Sequence, residues 1–332
     1  MTLSDKEKLN RLRDTFELNY KVSEMYATYL NVYPEMITEE MIDELCFGTS
    51  ISVKEALVAL LSELFGLDDS HGGIERKVIR EYIAPSVRVL DVNNYTDNPY
   101  YKKVAPKAVR DGAWEIKWEY YPPYRAAVCD DKILNDDFTE IVPLGFFTDG
   151  FRFPAVLEND NEWMTLTPVD VDTCKTAIDD AHGNVLTFGL GLGYYAYMVS
   201  EKENVKSVTI VEKSKEVIEL FKKHILPNFT NKEKIKIVNC DALEYAEYVM
   251  PIESYDYAFV DVWRDASDGT PIYEAMKKLE RLTPQTKFSY WIENFLISYK
   301  RAGKFGALWD AYTSGDKDAP KSYDEFVRRL KK

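Results

Sequence analysis

Three alternate glycines stand in Val185-Leu186-Thr187-Phe188-Gly189-Leu190-Gly191-Leu192-Gly193, directly behind an apolar strand pattern and directly before a helical one that starts at Tyr194. Glycine turns the backbone sharply and leaves room where a Cβ would collide with a ligand. The free N–H groups at the head of the following helix give that ligand a partly positive floor. The chemistry implied is the holding of a nucleoside-bearing cofactor. Three carboxylates follow at equivalent places, each closing a strand pattern: Glu212, Asp241 and Asp261. Glu212 lies 21 residues beyond Gly191 (212 − 191), a distance at which an acid can accept from both hydroxyls of a ribose. Asp241, followed by Ala242, can accept from an exocyclic amine or cap the helix that begins there.

The loop Asp261-Val262-Trp263-Arg264-Asp265 supplies the candidate catalytic residues Asp261, Trp263 and Arg264. Arg264 stays protonated and is a poor proton acceptor. Asp261 with Glu293 and Asn294 offers oxygen ligands for a hard cation, although a structural role for Asp261 and Trp263 is the simpler reading and no metal is expected. His71, His182 and His224 never fall within one helical turn of each other, and Cys46, Cys129, Cys174 and Cys240 form no C-x-x-C pair. That spacing disfavours a His- or Cys-based metal centre and reads as thiols in a reducing cytoplasm.

The elements that must position these residues alternate from 183 onward. Strand patterns at 185–188, 208–211, 235–238, 257–260 and 288–292 are separated by helical ones, and the last of these helices is expected at 271–282. Such alternation implies right-handed crossovers and a doubly wound, Rossmann-like parallel sheet, in which ligands bind beyond the carboxyl ends of the strands. Residues 294–312 read as helix, leaving no room for a final antiparallel hairpin, and 313–332 are polar. Upstream, Leu9, Leu12, Phe16 and Tyr20 recur at helical steps, and Ser52-Val53-Lys54-Glu55 has capping-box spacing. Aromatic and β-branched residues crowd 114–121 and 141–156, as hairpins do. Three regions are therefore expected: helical 1–87, a β-rich connection 88–182, and a cofactor-binding domain 183–332 with C-terminal helices.

With 42 Lys and Arg against 56 Asp and Glu, the formal charge of −14 disfavours nucleic acid as a partner. No apolar run reaches membrane-spanning length, and the polar start Met1-Thr2-Leu3-Ser4-Asp5-Lys6-Glu7 does not read as a secretory signal. A cytoplasmic location follows as an expectation, with homo-oligomerisation left open.

At the glycine turn and the strand-end acids the chain resembles the class I S-adenosylmethionine-dependent methyltransferases, over roughly residues 183–295. The resemblance implies that Gly189, Gly191 and Gly193 face the methionine moiety, that Glu212 binds ribose, and that Asp241 and Ala242 meet the adenine, with Asp261 closing the cofactor site. It implies S-adenosylmethionine as cofactor and methyl transfer to a small molecule or protein group. Thr187, where many members carry an acid, and the pair Val211-Glu212 are similar to the spermidine-synthase-like branch. That branch makes aminopropyl transfer an alternative, although Leu192 stands where aminopropyltransferases carry an acid. A non-catalytic S-adenosylmethionine-binding protein is a further alternative. So is an NAD-binding oxidoreductase, since Gly191-Leu192-Gly193-Tyr194-Tyr195-Ala196 formally fits G-x-G-x-x-[G/A]; the position of Gly189 and the acids after strands three and four speak against it.

Overall fold

The computed structural model describes residues 2–70 and 72–331; His71 lies outside the described residues. By contacts the chain divides into two compact units, residues 1–88 with 132–144 and 294–332, and residues 89–131 with 145–293.

Two sheets of the second unit supply the residues that matter below. An antiparallel one runs in chain order through β1 (Val109–Asp111), β2 (Trp114–Tyr121), β3 (Phe151–Glu158) and β4 (Asn161–Thr165). The other is parallel, with β5 (Gly183–Phe188), β6 (Val205–Glu212), β7 (Ile235–Asn239), β8 (Tyr257–Val260) and β9 (Lys287–Tyr290) in the order β7-β6-β5-β8-β9. Strand order reverses between β5 and β8, which is the switch point where a doubly wound sheet opens a crevice. No sixth or seventh strand extends this sheet among the described residues, so it is the short, Rossmann-like, all-parallel form. Its strands are buried runs such as Tyr257-Ala258-Phe259-Val260, as covering on both faces requires.

Helices α4 (Pro168–Asp180), α5 (Tyr194–Ser200), α6 (Lys215–His224) and α7 (Ala266–Leu279) belong to this unit, and α1 (Leu3–Val32), α2 (Glu39–Cys46) and α3 (Val53–Leu64) to the first. Caps set several starts. Ser52 and Glu55 form the expected capping box on α3, and Ser214 Oγ accepts from Val217 N–H on α6. Helix α7 begins five residues before the expected start at 271, because Asp265 accepts from the N–H groups of Ser267 and Asp268, with Pro271 inside the helix. That cap holds the first turn in spite of a proline that pattern reading treats as a helix start.

The β-rich stretch and the parallel sheet share one core: Trp114, Ile116, Phe151 and Phe153 belong with Leu190, Tyr194 and Phe221. This is why the units cut the chain at other places than 182/183. Likewise residues 294–332 belong to the first unit. Helices α8 (Glu293–Ser314) and α9 (Tyr323–Lys331) present Phe305, Phe326 and Leu330 to Leu9, Leu12 and Phe16 of α1. The inserted segment 132–144 is tied in by polar contacts. Asn19 Nδ2 donates to the Phe138 carbonyl at 2.8 Å, and Lys132 Nζ donates to Ser298 Oγ at 2.7 Å while pairing with Glu140 at 3.3 Å. No helix among the described residues is long and apolar enough to cross a membrane.

Candidate functional site

The glycine turn leaves β5 and enters α5. Gly189 adopts φ +96° and Gly191 φ +50°. A Cβ on Gly189 would run into the Asp261 carbonyl oxygen, one on Gly191 into the Met164 thioether, and one on Gly193 into the Phe221 ring. The close approach that glycine permits here is therefore first of all the protein's own. The turn is also held by Tyr100, a fully buried residue whose hydroxyl donates to the Leu192 carbonyl at 2.6 Å.

Glu212 closes β6, and its carboxylate is fixed by two backbone donors. Oε2 accepts from Leu190 N–H in the glycine turn at 3.2 Å, and Oε1 from Ser214 N–H at 2.8 Å. Asp241, after β7, caps the next helix through Oδ1, which accepts from Leu243 and Glu244 N–H at 2.8 and 3.2 Å. Capping occupies one oxygen and leaves the carboxylate's other acceptor sites for a ligand. Both acids line a single cleft of about 380 Å³, together with Gly189, Gly191, Ala242 and Asp261. Trp263 and Arg264 line it as well. Trp263 is buried with its ring stacked 6.4 Å from Tyr290, and the Arg264 backbone N–H donates to Asp268 at 3.2 Å. Gly193 lines a second, smaller space behind the turn.

That space is a recess of about 40 Å³, lined among others by Asp170, Cys174, Thr187, Tyr195 and Trp291. Gly189, Leu190, Gly191, Met164 and Asp261 line both spaces, so the recess continues the cleft past the turn. Burial, reinforced by the negative charges of Asp170 and Glu212, pushes the Asp261 carboxyl up to about 8. Burial also raises Asp170 to about 6, against the opposing pull of hydrogen bonds from the Thr167 N–H and hydroxyl, both at 2.8 Å. Burial drives the Cys174 thiol and the Tyr195 hydroxyl well above their ordinary values. The Tyr195 hydroxyl and the indole N–H groups of Trp263 and Trp291 are buried without a hydrogen-bond partner. Orphan groups of this kind cost free energy unless something occupies the space they face. No Lys, Arg or His is among the described residues lining the recess.

Two residues proposed from sequence are engaged elsewhere. Glu293 accepts from the Tyr273 hydroxyl at 2.7 Å and pairs with Lys277 at 3.2 Å, and Asn294 Nδ2 donates to the Lys132 carbonyl at 2.7 Å. Among the described residues no group of three or more His, Cys, Asp or Glu is placed to hold a metal ion. The sequence reading missed Asp170, Tyr195 and Trp291 in the recess, and Trp163 and Met164 on the cleft. Of these, only Asp170 carried a signal, the capping-box spacing from Thr167, and that spacing speaks of a helix start rather than of a site.

No family model matches the chain, and no curated protein matches it. Among solved structures it is similar to a spermidine synthase from Thermotoga maritima, at 14% identity and a TM-score of 0.31, over 59% of this chain and 62% of that one. It is similar also to a spermidine synthase in complex with the transition-state analogue AdoDATO, at 15% identity and a TM-score of 0.31, over 59% of this chain and 61% of that one. The chain thus spans about three fifths of the length of these solved structures.

Proposed function

We propose that this chain is a transferase that binds an S-adenosyl sulfonium donor in the cleft and passes an alkyl group from it to a nucleophilic acceptor, the donor arm being an aminopropyl group. The observation that carries this reading is the acid-lined recess that continues the cleft behind the glycine turn. Glu212 and Asp241 suit the ribose hydroxyls and the adenine amine of a nucleoside. Past the turn, Asp170 and Asp261 stand in a low-dielectric space with no lysine or arginine among the described residues that line it. A carboxylate entering there would find no cation to pair with, whereas an ammonium would favour the ionised form of Asp261 and Asp170 and be paired by it. Decarboxylated S-adenosylmethionine ends in an ammonium, and the Tyr195 hydroxyl offers it one more acceptor.

Such a donor supplies an electrophilic carbon bonded to a good leaving group, so the protein's task is alignment. Asp261, once ionised, stands at the junction of cleft and recess, where it can take the proton that an amine acceptor loses.

A second reading, methyl transfer from S-adenosylmethionine, is favoured by Leu192, buried and apolar within the turn, and by Lys213 and Arg264 on the outer cleft, which could meet a carboxylate turned away from the recess. Calorimetry with both donors separates the two. The aminopropyl reading expects decarboxylated S-adenosylmethionine to bind about tenfold tighter, the size of one buried charge contact. Tighter binding of S-adenosylmethionine would favour methyl transfer. Glu212→Ala should weaken either donor by about 1–3 kcal/mol, as loss of a charged hydrogen bond does. Binding of neither donor would end the proposal.

A further inference from the structure

The antiparallel sheet contributes only Trp163 and Met164 to the lining of the cleft, and the way it does so is unusual. Along β3 and β4 the pairing runs Ala155 with Thr165 and Val156 with Met164, then jumps to Leu157 with Glu162. Trp163 has no partner in the ladder; it is the extra residue of a β-bulge. Successive residues of a regular strand point to opposite faces, yet Trp163 and Met164 line the same cleft. A bulge re-aims a side chain in this way, and bulges concentrate beside functional sites.

The bulged strand is braced on both sides of this pair. Met164 fills the space that the missing Cβ of Gly191 leaves open. The Trp163 ring meets Trp114 in a T-shaped contact, with centroids 5.3 Å apart and planes at 77°. Trp114 is only 8% exposed, whereas Trp163 keeps 37% of its surface open. The indole is thus held in place on the cleft wall with a large apolar area unburied. The remaining lining comes from the carboxyl ends of the parallel strands, the loops that follow them and α7.

We propose that Trp163 is a ligand-contacting residue that roofs the cleft, its indole covering the nucleoside–sulfonium ligand, and that the bulge exists to aim it there. This rests on the reading of the cleft as an adenosyl site. An aromatic face suits either part of such a ligand, stacking on the base or attracting the cationic sulfur.

The test measures dissociation constants of decarboxylated S-adenosylmethionine and of 5′-deoxy-5′-methylthioadenosine, its neutral thioether counterpart, for the wild-type chain, Trp163→Ala and Trp163→Phe. Thermal melting of each variant checks that the fold is kept. Trp163→Ala should weaken binding about tenfold, the scale of one aromatic contact, with Trp163→Phe keeping most of the affinity. An equal loss for both ligands places the indole on the nucleoside; a loss confined to the sulfonium places it on the charged sulfur. Ligand quenching of tryptophan fluorescence should shrink in Trp163→Phe. Wild-type binding with affinity unchanged within twofold in a folded Trp163→Ala overturns the roof and leaves the adenosyl reading standing. Absence of wild-type binding overturns both.

Discussion

Asp261 brings burial and two acidic neighbours to bear on one carboxyl, and the sign of the effect on folding follows directly. Its folded-state value of about 8 lies above that of an unfolded aspartate near 4, so the folded chain keeps a proton that the unfolded chain releases. Rising pH through that window costs folded-state stability, and the cost stops growing above about pH 8. Asn in place of Asp261 mimics the protonated form at every pH. Melting curves of wild type and Asp261→Asn between pH 5 and 9 should show the variant gaining on the wild type up to about pH 8 and then running parallel. A difference that stays constant across that range would contradict the placement of Asp261 among Asp170 and Glu212. Asp170 adds to the strain, because its carboxyl is needed both as the N3 partner of Thr167 and as a wall of the recess.

At the scale of elements, the glycine turn is a joint between strand, loop and hairpin. Gly189 is required twice over, by φ +96° and by the Asp261 carbonyl oxygen in its Cβ direction. Gly189→Ala should therefore lose about 1–2 kcal/mol of stability by denaturant unfolding from the left-handed backbone alone, and more from the clash, before any ligand is added. A loss seen only in ligand affinity would mean that the glycine serves the ligand rather than the loop after β8. The turn and its three strand-end acids were legible in the sequence because strand–helix alternation fixes where each strand stops, and Glu212, Asp241 and Asp261 mark those stops. Asp170 was not legible, since its nearness to Asp261 depends on how α4 lies against the sheet. Trp163 was hidden for another reason: a bulge is a property of pairing with β3, and nothing within Asn161–Thr165 announces it. Helix α9 was concealed by composition. Charged residues dominate Tyr323–Lys331, and only Phe326 and Leu330 are buried there.

The whole molecule is assembled from a chain that returns twice to its first unit. Residues 132–144 and 294–332 complete what residues 1–88 begin. Phe326 is fully buried in the cluster with Leu9, Phe16 and Phe305, and the Phe16 and Phe305 rings stack 4.1 Å apart. Phe326→Ala should cost about 3–5 kcal/mol, the usual penalty for emptying an aromatic core site, read as a lower denaturation midpoint. An unchanged midpoint would show that α9 adds little to that core.

The pairing of α1 with α8 and α9 also sets a timetable for synthesis. As the chain emerges from the ribosome, Leu9, Leu12 and Phe16 precede most of the residues that cover them, Phe305 to Leu330, by some three hundred positions, with Phe138 arriving between. At about 5–20 residues per second, that apolar stripe stays incompletely covered for roughly 15 seconds or more. The second unit draws nothing from beyond residue 293 and can close in the meantime. Until then the nascent α1 carries an uncovered apolar stripe, the kind of surface that makes a half-made chain prone to aggregate.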